Sequence, residues 1–230
     1  ISLQILFNEV EKKNIILDVG ANSGDDGLRL AMNNPNHHVI AFEPVPEMIK
    51  MIGVNLDNLR KKTSHKFENY TLVDVAVSDY NGRSKFNVAG QADWGCSSLN
   101  TFSDNLDKTW PGRTDFKVTK EIEVEVLRLD NFFEKIEFDS IDFLHCDKQG
   151  SDISVLRGLG GFRENLARGV IECATSRSVA LYREQHLLED AIFEFVRWGW
   201  EIDRIKSNDI DCNEVNIFFK NKLFRNRMSS

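Results

Sequence analysis

The sequence predicts an α/β fold built on a mostly parallel sheet, and two observations predict it. Short apolar runs rich in β-branched residues recur with helical patterns between them, the alternation of successive βαβ units. The first run opens into a glycine-punctuated turn, "ILDVGANSGDDG" at 16–27, that leads straight into a helix. A chain of 230 residues, 41% hydrophobic and 10% aromatic, has the material for one large domain with a real core.

Taken in order, "NIILDVG" (14–20) is continuously apolar, as befits a central strand covered on both faces. A helix of about ten residues separates it from "HVIAFEP" (38–44), a spacing that suits a crossover connection. "PEMIKMIGVNLDNLRKK" carries Met48, Ile49, Ile52, Leu56 and Leu59 at helical spacing, and "YTLVDVAVSD" (70–79) reads as the third strand. The pattern then changes: "SKFNVA", a Gly/Ser/Asn/Asp-rich stretch at 90–114 and the alternating "EIEVEVLRL" suggest strands with one wet face, an insertion over 79–140 within a single domain spanning 1–230. "SIDFLHCD" (140–147) and "RGVIECA" (168–174) are two further buried strands, with "SDISVLRGL" between them offering Ser151 or Asp152 as a helix N-cap. "QHLLEDAIFEFVRWGW" is an amphipathic helix with Leu188, Ile192, Phe195 and Val196 on one face, and "EIDRIK" and "EVNIFF" lie close enough to pair as a closing hairpin.

Composition narrows the function. Lys and Arg number 29 against 36 Asp and Glu, a net charge of −7, which leaves no basic footprint for a nucleic-acid backbone. No apolar run is long enough to span a membrane, and "ISLQILFNEVEKK" lacks the basic flank and cleavage site of a signal peptide, so a soluble, cytoplasmic protein is expected. Cys96, Cys146, Cys173 and Cys212 form no C-x-x-C pair, which points to reduced thiols rather than a zinc knuckle or a disulfide framework. His37, His38, His65 and His186 have no metal-ligand spacing and read as surface residues; no metal site is expected. The basic end, "FRNRMSS", reads as a frayed terminus.

The glycine loop excludes a dinucleotide. A pyrophosphate needs G-x-G-x-x-G, yet counting from Gly20 the pattern meets Asn22 and Asp25, and counting from Gly24 it meets Asp26 and Arg29. Acids at a helix N-terminus also repel the phosphate that the helix dipole would attract. The loop fits D-x-G-x-N-x-G instead, with Asn22 at a position that asks for positive φ, which Asn tolerates better than most residues. Glu43 ends the next strand, roughly 20 residues past the loop, where a carboxylate can accept hydrogen bonds from both ribose hydroxyls.

These residues resemble the FkbM-type methyltransferases. "ILDVGANSGDDGLRLA", "VIAFEPVPEM", "TLVDVAVSDYNG", "GCSSLN", "VEVLRLDNFF" and "IDFLHCDKQGSDISVLRGL" stand in that family's order, followed by "GVIECA", over about 14–175. The resemblance implies a class I methyltransferase fold, a Rossmann-like doubly wound sheet of seven strands with the last antiparallel. It also implies S-adenosyl-L-methionine as cofactor, a ligand with a cationic sulfonium and no phosphate. Members typically methylate hydroxyl oxygens of natural products, sugars or glycolipids, so the expected partner is a small-molecule or glycan acceptor.

Carried over by position, the resemblance puts Asp18, Gly20, Ala21, Asn22 and Gly24 along the methionine part of the donor, Glu43 on the ribose and Pro44 at the turn. Ala76 and Val77 would meet the adenine, Asp79 its exocyclic amine, and Ser97 and Ser98 the donor's carboxylate. Asp147 matches the acid of the family's K-I-D-x-x-G-x-E motif, beside the reacting methyl. Two positions depart from it: His145 stands for the lysine and Asp152 for the terminal glutamate.

A hydroxyl acceptor must shed a proton, so a base is needed at the carboxyl edge of the sheet; Asp147 leads, with His145 and Glu172 beside it. Glu172, between Ile171 and Cys173, is a carboxylate in a buried strand, costly unless partnered. Phe86, Trp94, Phe102, Trp110 and Phe116 are expected either to wall an acceptor pocket or to form a satellite core. A catalytically silent donor-binding protein and an NAD-linked oxidoreductase are the alternatives, the latter weakened by the glycine spacing. Lys148 next to Asp147, with Glu172 further on, loosely resembles the Lys-Asp-Lys-Glu set of RNA ribose methyltransferases, but no second lysine follows at a convincing place and the net charge opposes RNA.

Overall fold

The computed structural model describes residues 14–90, 94–104, 106–113 and 116–224. The readings made for the N-terminal segment 1–13 and for the basic end beyond Phe224 fall outside the described residues. β1 (Asn14–Val19) is an interior strand of the seven-stranded main sheet, buried along nearly its whole length as its continuous apolar run requires. It pairs in parallel with β2 (His37–Phe42) on one side and with β7 (Ser140–Cys146) on the other. β3 (Tyr70–Val73) extends the sheet beyond β2, and β8 (Arg168–Ala174) beyond β7. β10 (Glu214–Asn221) enters antiparallel next to β8, and β9 (Trp200–Ser207) pairs antiparallel with β10, so the closing hairpin is the seventh-strand reversal.

Helices α1 (Asp25–Asn33) and α2 (Pro46–Lys62) make the first two crossovers. The sequence marks both ends of α2: proline in the first turn, where its missing N–H costs nothing, then Arg60, Lys61 and Lys62 at the negative end of the dipole. On one face of the sheet Ile15, Leu17 and Val19 join the largest core cluster, while Ile16 packs with Leu28 and Ala31 of α1 on the other. A separate three-stranded sheet is formed by β4 (Ala76–Ser78), β6 (Val118–Arg128) and β5 (Gly82–Ala89). Glu121, Glu123 and Glu125 of β6 face solvent, the first two paired with Lys85 and Arg83 of β5. A short α3 (Leu106–Thr109), α4 (Leu129–Phe133), α5 (Asp152–Gly158) and α6 (Leu188–Trp198) complete the regular structure. Among the described residues no helix is long and apolar enough to cross a membrane.

Three expectations are corrected. Residues 70–79 are not one strand: pairing with β2 stops at Val73, the chain bends at Asp74 and Val75, and Ala76–Ser78 joins β6 in the other sheet. No glycine or proline marks that bend, because Val73, Val75 and Val77 all still reach the main core. On α6 the buried face is Ala191, Glu194 and Phe195, while Ile192 and Val196 are 41% and 75% exposed. The helix is rotated because Glu194 is taken inward by Arg157 and Arg197, pairs that a hydropathy pattern does not register. The histidines are not plain surface residues. His38 is buried with Nε2 2.7 Å from Thr71 Oγ1, and His37 meets Asp142 at 2.8 Å. The His65 ring packs edge-on against Phe67, and burial pushes His186 down to about 4.

Candidate donor site

Strands β1, β2, β7 and β8 all end at one edge of the sheet, and the chain that follows β1, β2 and β7 lines a cleft there, where open α/β sheets bind ligands. After β1 the backbone takes left-handed conformations at Gly20 (φ 83°), Asn22 (φ 50°) and Gly24 (φ 83°). The amides of Gly20 and Ala21 both donate to the Phe42 carbonyl, at 3.1 and 3.0 Å, which draws the turn across the end of β2. On the other side Asp147 N donates to the Val19 carbonyl at 2.9 Å. A Cβ on Gly20 would lie 2.1 Å from the Asp147 carbonyl oxygen, so only glycine lets β7 come this close.

Glu43 follows β2 and is 5% exposed. Its Oε2 accepts from Asn22 N and its Oε1 from Val45 N, each at 2.9 Å. Burial pushes its carboxyl up to about 7 against the pull of those two amides. Each oxygen keeps a second lone pair, which is the acceptor set a vicinal diol needs. Gly20, Asn22, Glu43 and Pro44 form one wall of the cleft; Val75, Ala76, Val77 and Phe86 form another. Ser97, Asp147, Lys148 and Gln149 complete the rim. A hydrophobic slot beside a buried diol acceptor and a carboxylate fits a cationic sulfonium nucleoside, and among the described residues Lys148 is the one cation lining the cleft, short of the cluster a pyrophosphate needs.

Asp147 sits just past β7. Gln149 Nε2 donates to its Oδ1 at 2.6 Å, and burial raises its carboxyl despite that bond and the charge of His145. Lys148 also lines the cleft; its ammonium is buried with no hydrogen-bond partner among the described residues, and burial draws it down. Asp152, in place of a glutamate, is fully buried and accepts from Lys148 N at 3.1 Å and Glu172 N at 2.8 Å. It thereby ties the ends of β7 and β8 together, and burial pushes it up to about 7.

Other expected site residues do not reach the wall. Asp18 is fully buried beneath it, where His145 Nδ1 lies 2.8 Å from Oδ1, while Oδ2 is packed so close to α1 that a Cβ on Gly27 would approach to 2.4 Å. Burial opposes the imidazolium, but the hydrogen bond to and charge of Asp18, with Asp26 and Asp147 behind, hold His145 up at about 9. His145 is thus engaged with Asp18 beneath the cleft. Ala21 and Gly24 shape the turn from behind, Gly24 against Ile52.

Ser98 is fully buried and fastens a loop: its Oγ donates to the Gln149 carbonyl at 2.6 Å and accepts from Asn100 N at 3.0 Å. Asp79 lies off the wall, its carbonyl accepting from Arg128 at 3.1 Å. Glu172 is buried deeper, with Oε2 on Asn208 and Oε1 unpartnered among the described residues, and burial beside Asp147, Glu214 and Asp152 pushes its carboxyl well up. Of the aromatics, Phe86 lines the cleft, while Phe102 stacks on Tyr182 and packs with Phe116, itself edge-on to Trp110. The Trp94 side chain lies outside the described ones. Gln149 and Tyr182 went unnoticed in the sequence: the only local signal was a Gln-Gly pair, and Tyr182 arrives from a distant loop. Among the described residues no group of three or more His, Cys, Asp or Glu is placed to hold a metal.

Known proteins resemble this chain in sequence and in shape. A family model described as the methyltransferase FkbM domain matches residues 18–195. The 2-O-methyltransferase NoeI of Sinorhizobium fredii (strain NBRC 101917 / NGR234) is 32% identical over 149 residues, 63% of this chain and 56% of that protein. The AMB antimetabolite synthetase AmbE of Pseudomonas aeruginosa is 25% identical over 166 residues, 63% of this chain and 8% of its own length. The chain therefore spans about half of one curated relative and a small part of the other. In shape it resembles the crystal structure of methyltransferase FkbM from Methylobacillus flagellatus KT, with a TM-score of 0.57 at 14% identity, over 90% of this chain and 43% of that one. On the family match over most of its length, this chain belongs to the FkbM methyltransferases, and its cofactor is S-adenosylmethionine.

Proposed function

We propose that the chain acts as a single methyltransferase domain that methylates a hydroxyl oxygen of a small molecule, sugar or glycolipid. The observation that carries this reading is Asp147, a half-buried carboxylate at the cleft rim with Oδ1 engaged by Gln149 and Oδ2 left to take a proton. Bound S-adenosylmethionine supplies an activated methyl group on a cationic sulfur. The protein's share is positioning, which can be worth roughly 7–11 kcal/mol, and a base for the acceptor proton. Glu43 would hold the ribose hydroxyls, Val75, Ala76 and Val77 would flank the adenine, and Gly20, Asn22 and Ser97 would hold the methionine end. Asp147 would then stand next to the sulfur, attracting its charge and taking the acceptor proton on Oδ2. Glu172 remains a reserve carboxylate behind it. The name of NoeI supports an oxygen acceptor, and the net charge of −7 disfavours nucleic acid.

The test is release of S-adenosylhomocysteine on incubation with S-adenosylmethionine and a panel of hydroxylated acceptors. Turnover with a sugar or small alcohol, lowered by about 10²-fold or more in Asp147→Asn with S-adenosylhomocysteine binding kept, is the expected result. Tight donor binding with no turnover on any hydroxyl acceptor would leave the silent donor-binding reading standing instead.

A further inference from the structure

Gln149 has a backbone that its residue type does not favour. Its φ is +61°, in the left-handed region where glycine is at ease and a long side chain is strained. Strain of this kind persists when neighbours fix the residue, and here they do. The Gln149 carbonyl accepts from Ser98 Oγ at 2.6 Å and Asn100 Nδ2 at 3.4 Å. The following Gly150 is so closely covered that a Cβ would lie 2.6 Å from the Tyr182 ring.

The side chain is held at both ends. Its Nε2 donates to Asp147 Oδ1 at 2.6 Å, and its Oε1, 3.0 Å from the Tyr182 hydroxyl, shares that hydroxyl's single proton with the Cys96 carbonyl at 2.7 Å. Tyr182 is 1% exposed and stacked on Phe102 at 5.2 Å, so the hydroxyl is a fixed point. Behind it, Gln185 Oε1 accepts from the amides of Leu181 and Tyr182 at 2.7 and 3.2 Å, and Gln185 Nε2 donates to Glu214 at 2.7 Å. A glycine would satisfy the backbone without strain. The one thing glutamine adds is an amide between Tyr182 and Asp147.

We infer that Gln149 is a positioning residue for Asp147, its amide clamped by Tyr182 so that the carboxylate is held in one orientation, and in its charged form, at the rim of the donor cleft. This rests on the proposed placement of Asp147 beside the donor sulfur. An N–H donated to a carboxylate stabilises its ionised form. That help matters because Asp147 faces an acid-rich surrounding: Asp18 of β1, Asp26 of α1, Asp152 of α5, Glu172 of β8 and Glu214 of β10, with Cys146 beneath, Lys148 adjacent and His145 as its opposing cation.

The test uses the intact protein and two probes, S-adenosylmethionine and S-adenosylhomocysteine, which differ by the charge on sulfur. The ratio of their affinities, measured by calorimetric titration from pH 5 to 9, reads the charge of a carboxylate beside the sulfur. Ionisation of Glu43 at the ribose affects both ligands alike and cancels. In the wild type the ratio should favour S-adenosylmethionine increasingly as pH rises. In Gln149→Leu and Gln149→Gly the midpoint should move up by about one pH unit, roughly a tenfold lower ratio at a fixed pH below it. Tyr182→Phe should move it in the same direction by less. The glycine variant relieves the strained backbone, so a melting temperature at or above wild type separates the effect from misfolding. If Gln149→Gly folds so and the midpoint stays put, the inference is overturned. If Asp147→Asn leaves the wild-type pH dependence intact, the placement of Asp147 itself fails, a result distinguishable from the first.

Discussion

The two halves of the cleft are built differently. The β1–α1–β2 half is local: Gly20, Asn22, Gly24 and Glu43 lie within one βαβ unit, and Glu43 is satisfied by backbone amides of its own neighbourhood. The β7–β8 half is assembled from afar, with Asp147 held by Gln149, Gln149 by Ser98 and Tyr182, and Tyr182 by Cys96 and Gln185. The first half is a local element that one stretch of chain can specify. The second is a polar network whose members mean little apart.

The comparison can be broken most sharply at Gly20, where the halves touch. Gly20→Ala forces a Cβ against the Asp147 carbonyl at a left-handed φ, and should cost roughly 3 kcal/mol or more of stability together with donor binding. Thermal melting and S-adenosylhomocysteine titration measure it; a variant that binds normally would show that the halves are not locked there.

Next comes His145, the second bridge. Its raised pKa means that the pair with Asp18 stabilises the fold fully below the unfolded value near 6.5, and that this contribution fades as pH rises through about 9. His145→Ala, which leaves Asp18 buried without its cation, should cost roughly 3 kcal/mol at pH 7, while His145→Lys should keep most of the stability and extend it above pH 9. Denaturant melts at pH 6, 8 and 10 decide it; equal pH dependence in wild type and His145→Lys would refute the pairing.

A smaller effect is expected inside the local half. Glu43→Gln should weaken S-adenosylmethionine and S-adenosylhomocysteine equally, by about 10-fold, since hydrogen bonds to a charged group contribute about 1.5–3 kcal/mol and a neutral amide keeps part of that. Because burial raises Glu43 to about 7, both wild-type affinities should fall as pH drops from 8 to 6, and the variant should lose that dependence. Calorimetry at the two pH values sharpens the contrast with Asp147, whose effect should discriminate between the two ligands.

Much of the fold was legible because burial on both faces leaves a continuous apolar signature in β1, β2, β7 and β8, and because α2 advertises its ends. The strand at 70–79 and the face of α6 were misread where the decisive facts were not hydropathic: a bend that keeps three valines inside, and a buried Glu194 held by two arginines. In the site, the glycine spacing and Glu43 were readable since each needs its residue type for a backbone reason. Asp18, Ser98 and Glu172 carried the right chemistry in the sequence but sit behind the wall, and no spacing rule tells a lining carboxylate from one a layer deeper.

The sequence by itself determined the local half of the cleft: strand, left-handed turn, helix and acid lie within a few tens of residues, so local conformational rules are enough to write them. Only the tertiary structure decided that His145 is paired with Asp18, that Asp152 binds the ends of two strands, and that Tyr182 reaches Asp147 through Gln149. Hydrogen bonds between side chains far apart in the chain depend on where the packed sheet brings its loops, and a buried charge reveals its role only through the partner that makes its burial tolerable.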